Sequence, residues 1–287
     1  MTSLVATSAA RRRKDRVARA MLALGTGIAL VQLGLILYYL LRKGLGAWSW
    51  HFFTTDPTGS FLGDPGGIRS AIVGTVAMVA LAALIAVPLG VGVALYLTEF
   101  GRDGRLARGV RFLIDVMTGV PSIVFGLFIY ISLVVTGVAG SFAGWKGSIA
   151  LALLMLPVVA RAAEVVLLLV PQSLREAAFA LGAPRWKVVF SVVVPTALPG
   201  ILTGTLLAVA RAAGETAPLL FTAAIVNGTT LNLGDRMNSL PAQIFQDVGQ
   251  AQDRLVARAW GAALALVAMI LLLTLVARLL QKRNRLA

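Results

Sequence analysis

Residues 171–187 read PQSLREAAFALGAPRWK, and this stretch decides the fold because it joins two long apolar runs. Ser173, followed three residues later by Glu176, predicts a capping box at the start of a short helix over residues 174–181. Gly182 suits the left-handed backbone conformation that ends a helix. We therefore predict a short helix that stops at a glycine hinge.

Pro184 suits the first position of a second short helix, where its missing N–H has no partner to lose. A loop that only connects two membrane helices would be shorter and more polar. The first helix instead presents Ala177, Ala178, Phe179 and Leu181 with few charges. We interpret the segment as a docking surface for a partner protein; the alternative is an ordinary interfacial pair of helices.

Long apolar runs extend outward from this segment through most of the 287 residues. The chain is 58% hydrophobic and 13% charged, whereas a soluble domain has about 25% charged residues. A helix needs about 20 apolar residues to cross a bilayer. We predict an all-α integral membrane protein with six transmembrane helices, at about residues 20–41, 70–98, 116–139, 147–170, 200–226 and 259–279. They form one membrane domain over residues 20–280, with short coupling helices within 172–194, a basic N-terminal segment 1–19 and a tail 281–287.

Two of these runs need a closer reading. The apolar stretch 188–226 is too long for one crossing, and Pro195, Pro199 and Gly200 are expected to divide it into an interfacial helix and the fifth span. The first run has 22 uncharged residues, more than the 7 to 15 of a signal-peptide core. We expect it to be an uncleaved anchor helix.

The distribution of basic residues predicts the orientation. Seventeen Lys and Arg fall on the side of both termini and seven on the other, while Arg161 and Arg211 lie within spans. Because Lys and Arg accumulate in short cytoplasmic segments, we expect both termini to be cytoplasmic. The net charge of +14 is therefore a topology signal, and no nucleic-acid partner is expected.

The segment between the second and third spans has the pattern of an amphipathic helix. Its apolar and basic residues fall on separate helical stripes. These are Leu106, Val110 and Leu113 on one stripe and Arg105, Arg108 and Arg111 on the other. We expect a helix that lies on the cytoplasmic membrane surface and anchors the bundle to anionic lipid. A basic patch that gathers substrate is the alternative.

Two pairs of opposite charge lie inside the apolar runs, Arg161 with Glu164 and Arg211 with Glu215. Their spacings of three and four residues put each pair on one helix face. An ionised group at this depth costs at least ~2.5 to 3.5 kcal/mol, so these side chains should face the bundle interior or an aqueous path. Our hypothesis is that they line a pathway for an oxyanion, which an arginine fork suits. The alternative is that each pair neutralises itself and locks helices together.

Several classes of chemistry are excluded or disfavoured. The chain has no cysteine and one histidine, His51, so thiolate nucleophiles, disulfides and multi-histidine metal sites are excluded, and we assign His51 no role. It has no Gly-Lys dipeptide, and hence no phosphate-binding P-loop. The spans contain no His-Glu-x-x-His or Gly-x-Ser-x-Gly word. We expect a transport subunit without cofactor or metal, and not an enzyme.

Two sequence words resemble a known family. Glu176-Ala177-Ala178, followed by Gly182 and by Pro195, resembles the EAA loop of ABC-importer permeases. The word Arg-Ala-Ala-Gly-Glu-Thr-Ala-Pro over residues 211–218 resembles the phosphate-specific members of that family. The resemblance is dense from about residue 156 to 224, and it implies the six-helix fold of a type I importer permease in a bacterial cytoplasmic membrane.

The resemblance also implies roles and partners. Its residues would fall into two groups. ATPase coupling would involve Arg175, Glu176, Ala177, Ala178 and Gly182, and the phosphate pathway Arg161, Glu164, Arg211, Glu215 and Thr216. The expected partners are a sister permease, either a related subunit or a second copy of this chain, two copies of a cytoplasmic ATPase that binds ATP, and an external phosphate-binding protein.

Some alternatives stay open. The segment 227–258, in which Asn238 or Ser239 would cap a helix over residues 240–247, would contact the binding protein or merely shield the outer mouth. The transported anion could also be phosphonate, sulfate or molybdate. A gradient-driven secondary transporter is a further alternative, and it should show an internal repeat and no docking loop for an ATPase.

Overall fold

The computed structural model describes residues 9–60, 63–101 and 104–283, and in these segments the chain is helical. One isolated β-bridge joins Pro57 to Gly66. The helices, in chain order, are α1 (Ala9–Gly44), α2 (Trp50–Thr54), α3 (Arg69–Leu95), α4 (Arg105–Gly119), α5 (Ser122–Ile129), α6 (Gly144–Leu168), α7 (Gln172–Ala180), α8 (Arg185–Val188), α9 (Val194–Ala213), α10 (Ala217–Thr222), α11 (Leu240–Val248) and α12 (Asp253–Arg283). A 3-10 turn follows α1 (Leu45–Ala47), and π-helical turns follow α3 (Tyr96–Phe100), α5 (Tyr130–Val135) and α8 (Val189–Val193).

Five helices in the described segments are long and apolar enough to cross a membrane, and a bent pair makes a sixth span if it is counted as one. The five are Arg13–Ala47, Arg69–Phe100, Gly144–Leu168, Arg185–Ala213 and Asp253–Leu279. The bent pair is Arg105–Gly119 with Ser122–Val135, whose axes meet at 102°. The prediction of an all-α membrane protein is confirmed.

The predicted third span, 116–139, is wrong at both ends. Residues 116–119 belong to α4, and the helix that turns into the bundle covers only Ser122–Val135. Pro121 causes the break, because it has no N–H and disfavours helical backbone at the residue before it. Val120 accordingly has extended backbone, with ψ of 129°.

The predicted division of the fifth span is also wrong. Arg185–Ala213 is one continuous apolar helix, in which Pro195 lies in the first turn of α9 directly after a π-helical turn. A proline there removes few intrahelical hydrogen bonds, and widened turns commonly take up such irregularities. The break comes instead at residues 214–216, beyond which α10 is a separate short helix with Pro218 in its first turn.

The two terminal helices extend further than expected. Helix α1 begins at Ala9, before the predicted start at residue 20, and α12 continues to Arg283, past the predicted end of the sixth span at residue 279. The first eight and last four residues lie outside the described segments. The most apolar 18-residue window of α1 is 0% buried, against 56% for α6, so α1 is peripheral and α6 is central.

Small residues allow the central helices to approach closely. Helices α3 and α6 form the most extensive contact in the bundle. A Cβ at Gly90 of α3 would lie 2.9 Å from Cβ of Val159 in α6, and one at Gly147 would lie 2.9 Å from Cδ2 of Leu219. Such contacts drive helix association in lipid, where the hydrophobic effect contributes little.

Polar networks organise the end of the bundle that carries α11, here called the α11 end. Ser239 caps α11 as predicted, accepting a hydrogen bond from the Ala242 amide at 3.3 Å. The buried carboxylate of Asp247 accepts 2.7 Å bonds from Nε and Nη2 of Arg258 in α12, and one of 2.9 Å from Gln243. These contacts attach α11 firmly to α12.

A buried lysine holds the loop before α6. Lys146 is 0% exposed, and its ammonium donates hydrogen bonds to the carbonyls of Leu133, Gly140 and Ser141 at 2.7 to 2.8 Å. The loop contains Ala139 at φ +51°, a left-handed conformation that is unfavourable for alanine. Lys146 therefore provides hydrogen-bond donors for carbonyls that have no partner within a helix, and it stabilises the loop in this way.

Replacing Lys146 with Met should lower the free energy of unfolding by about 1 to 3 kcal/mol, because three buried carbonyls lose their donor. Thermal unfolding in mild detergent measures this change. Lys14→Met, at an exposed position of α1, is the control and should leave the midpoint unchanged. Equal midpoints for Lys146→Met and wild type would contradict the assignment.

Candidate functional site

The first predicted pair belongs to a larger charge network between α4 and α6. Glu164 accepts a 2.8 Å hydrogen bond from Nη1 of Arg161 and a 2.7 Å bond from Nε of Arg111. Arg161 also pairs with Asp115. The Glu164 side chain is 5% exposed, whereas those of Arg161 and Asp115 are 41% and 58% exposed. The buried carboxylate thus holds two arginines, one of which reaches the surface.

The predicted role of Arg111 changes accordingly. It was expected on a lipid-anchoring stripe, but its side chain reaches Glu164 and the Leu97 carbonyl. A buried carboxylate needs a cationic partner, and this requirement outweighs a surface position for the arginine. Most of the predicted apolar stripe does not pack against the protein, because α4 turns Ala107 and Ile114 inward instead. Leu106 and Leu113 of that stripe are exposed.

The second pair is more open. Nε of Arg211 lies 3.8 Å from Oε1 of Glu215, and the arginine side chain is 57% exposed against 16% for the glutamate. The two residues do not share one helix face as predicted, since α9 ends at Ala213 and Glu215 lies in the turn before α10. Thr216 is half-buried and directly precedes α10. The long contact leaves most of the Arg211 guanidinium accessible.

The two arginines lie at different depths. Gly204 of α9 faces Ala162 of α6, where an added Cβ would be 2.5 Å from that of Ala162. Since the two helices run in opposite directions, Arg211 lies about 9 Å nearer the α11 end than Arg161, at 1.5 Å per residue. An anion that moved along α9 would therefore meet Arg211 and Arg161 in succession.

The docking segment lies at the opposite end of the bundle, here called the α7 end. Helix α7 begins at Gln172 without a side-chain cap, so the predicted Ser173 cap is wrong. Pro171 precedes the helix and favours its start there, so the helix begins at Gln172, two residues before the predicted start at residue 174. Gly182 has φ of +78°, which confirms the left-handed hinge. Pro184 lies just before α8 instead of at its first position.

The segment presents an exposed apolar surface, as predicted. Phe179 is 45% exposed, Leu181 89% and Trp186 62%. Glu176 and Ala177 are also exposed, and Ala178 is half-buried. Large exposed apolar side chains in a loop beyond the membrane spans are typical of a protein interface.

Arg175 does not belong to that surface. It is 7% exposed and donates to Oε1 of Glu99 at 2.9 Å and to the carbonyls of Val170 and Leu167 at 2.5 and 3.0 Å. It therefore attaches the inner face of α7 to the ends of α3 and α6. Sequence reasoning missed Glu99, because a partner 76 residues away leaves no periodic signal.

Comparisons with known proteins place the chain in a family. A family model described as binding-protein-dependent transport system inner membrane component matches residues 86–286. The phosphate transport system permease protein PstA of Pasteurella multocida is 39% identical over 269 residues, covering 94% of this chain and 95% of that protein. The PstA protein of Yersinia pestis is 39% identical over 277 residues, covering 96% and 92%. The chain belongs to the PstA family. It is thus an inner membrane component of a binding-protein-dependent transport system, and a transport subunit.

Solved structures of ABC importers share the fold of this PstA-family chain. An inward-facing structure of the MetNI methionine ABC transporter matches with a TM-score of 0.60 and 20% identity, covering 76% of this chain and 94% of that one. A bacterial alginate ABC transporter in complex with its periplasmic protein matches with a TM-score of 0.67 and 15% identity, covering 95% and 96%. The fold is that of a type I ABC importer permease.

Replacing Glu164 with Gln should lower the free energy of unfolding by about 1.5 to 3 kcal/mol, because the partly exposed Arg111 and Arg161 lose charge-assisted hydrogen bonds to a buried carboxylate. Asp115→Asn removes an exposed partner of Arg161 and should lower the free energy of unfolding by at most about 1 kcal/mol. Thermal unfolding of the two purified variants measures the difference. Similar midpoints for both variants would show that the network does not hold α4 against α6.

Proposed function

We propose that this chain is the transmembrane permease subunit of an ATP-driven importer, and that inorganic phosphate passes beside Arg211 and Arg161. One observation carries the proposal: the accessible guanidinium of Arg211 lies beside Glu215 at the break between α9 and α10. The names of the PstA relatives support phosphate as the substrate.

The chemistry of the pair suits a weakly held anion. A guanidinium can donate two parallel N–H bonds to oxygens of a tetrahedral anion. The Glu215 carboxylate, 3.8 Å from Nε, neutralises Arg211 when no anion is present and limits how tightly phosphate is held. Thr216 supplies a hydroxyl beside this pair. Glu164 neutralises Arg161, the second arginine on the proposed route of the anion, in the same way.

The energy for transport comes from a separate ATPase in this proposal. The exposed surface of α7 and α8, with Phe179, Leu181 and Trp186, would seat in a groove of that subunit. Glu176 would face the ATPase, and Arg175 would transmit the movement of α7 to α3 and α6 through Glu99. The α7 end and both termini are then cytoplasmic, in agreement with the basic residues counted on that side.

The remaining partners follow from the same assembly. Two ATPase subunits and a sister permease, related to this chain but distinct from it, would complete the membrane complex. At the α11 end, Phe245 and Val248 of α11 are 61% and 59% exposed on a helix that Asp247 and Arg258 hold in place. We assign this surface to the external phosphate-binding protein.

Replacing Arg211 with Gln should lower phosphate uptake at least about tenfold, because it removes charge-assisted hydrogen bonds worth ~1.5 to 3 kcal/mol. Uptake of radiolabelled phosphate by reconstituted vesicles measures the effect, with sulfate and molybdate as competitors. Arg278→Gln, at an exposed position of α12 away from the α11 end, is the matched control and should transport normally. Normal uptake by Arg211→Gln in an assembled complex would refute the pathway, and strong competition by sulfate would refute the substrate.

Replacing Gly182 with Ala should weaken the coupling of ATP hydrolysis to transport, because alanine at φ of +78° costs roughly 1 to 2 kcal/mol and shifts the hinge. The measurement is ATPase activity with and without loaded binding protein. Gly109→Ala places the same methyl group at an exposed helical position with open space around it, and should have no effect. Full stimulation and co-purification of the ATPase with Gly182→Ala would exclude the coupling role.

A further inference from the structure

A cavity of about 600 Å³ opens beneath α7, between the ends of α3 and α6 and the side of α4. Its polar walls are Thr98, Glu99, Arg111, Gln172 and Arg175. A second cavity of about 350 Å³ shares Glu99, Gln172 and Arg175 and adds Arg185. The two cavities thus adjoin along the inner face of α7, and of the apolar side chains assigned to the ATPase contact only Phe179 reaches the second cavity.

The charges around these cavities do not balance. Three arginines line them, against the single carboxylate of Glu99. Glu164 neutralises Arg111 from outside the cavity. One positive charge remains after both carboxylates are counted. An excess cation in a partly closed site favours an anionic occupant, because its charge is poorly screened there.

A buried donor without an acceptor points in the same direction. Arg175 is 93% buried, and within the described segments its Nε–H has no hydrogen-bond partner. Its terminal nitrogens, in contrast, are held by Glu99 and two carbonyls. Such a buried N–H of a charged group is costly, and although it does not open onto the cavity, an oxyanion placed there would stabilise the guanidinium to which it belongs.

We propose that this cavity binds a phosphate group, provided either by the headgroup of an anionic phospholipid or by free inorganic phosphate. Arg175 and Arg111 would contact its oxygens, with the Gln172 amide as a further donor. The rim favours the lipid, because Leu168 and Leu169 are 63% and 75% exposed and would lie along acyl chains. The site is separate from Arg211, which lies near the other end of α9.

A phosphate group in this cavity would bridge α7 to α3, α4 and α6. Arg175 already connects α7 to the end of α6 and, through Glu99, to the turn after α3, and the phosphate group would add α4 through Arg111. The occupied site would therefore hold the inner face of the coupling helix more firmly against the bundle. In this way the composition of the membrane, or the phosphate level on the α7 side, would act on coupling.

A charge placed in the cavity tests the proposal without disturbing the buried network. Gln172 is exposed and lines both cavities, so Gln172→Glu should fold normally and repel an anion. Ser173→Glu is the matched control, because it adds the same charge to the same helix turn at an exposed position that lines neither cavity. The N-terminus of α7 stabilises the two introduced carboxylates by a similar amount.

The measurement is the thermal unfolding midpoint of the full chain with its co-purifying subunits in nanodiscs, followed by tryptophan fluorescence. One arm varies the fraction of phosphatidylglycerol in phosphatidylcholine; the other adds inorganic phosphate to pure phosphatidylcholine discs at constant ionic strength. In at least one arm, the unfolding midpoints of wild type and Ser173→Glu should rise by the same amount as the anion is added. Gln172→Glu should need about tenfold more of that anion for the same rise.

The arm that responds identifies the source of the phosphate group. Absence of a response in wild type in both arms, an equal loss in the two variants, or an unchanged response in Gln172→Glu would each overturn the proposal. Stabilisation by phosphate at Arg211 is not sensitive to Gln172. Because the readout involves no transport, a failure of the uptake experiments would leave this inference intact, and the reverse also holds.

Discussion

Ionised side chains inside an apolar bundle must find their partners within the protein, because lipid offers neither hydrogen bonds nor countercharge. Helix α6 is the clearest case. Lys146 near its start satisfies three carbonyls of the preceding loop, and Glu164 further along binds arginines from α4 and from its own helix. Small residues let α3 pack closely on the same helix. The position of every neighbouring helix therefore depends on contacts that α6 provides.

The charged residues divide into two kinds by how completely their partners enclose them. Glu164, Arg175 and Asp247 are buried and paired at 2.7 to 2.9 Å, and they hold helices together. Arg211 is exposed and only loosely paired at 3.8 Å, which is the arrangement that the proposed anion pathway requires. Arg161 is intermediate, since it binds a buried carboxylate and an exposed one. The close pairing at Glu164 agrees with the helix-locking hypothesis, and the open Arg211 supports the pathway that we propose.

Local sequence predicted some features well and others poorly, for physical reasons. The hinge at Gly182 was correctly predicted, and Ser239 was one of the two predicted caps of α11, because each feature depends on backbone conformation within a few residues. The effect of proline was predicted wrongly in two opposite ways. Pro121 breaks a helix inside a predicted span, whereas Pro195 is accommodated in a first turn after a widened one. Hydropathy alone does not distinguish these cases, since the surrounding helices decide which backbone groups can be satisfied elsewhere.

The sequence by itself determined the class of protein, the long apolar helices, the exposed apolar segment that follows α6, and the presence of charged residues within the apolar runs. These depend on composition, on periodicity and on short words such as the one over residues 211–218. Only the tertiary structure decided which charges pair. The pair of Arg111 and Glu164 joins residues 53 positions apart. The pair of Arg175 and Glu99 joins residues 76 positions apart. Such pairing is a property of how helices pack in space, and the requirement to compensate a buried charge operates only after they have packed.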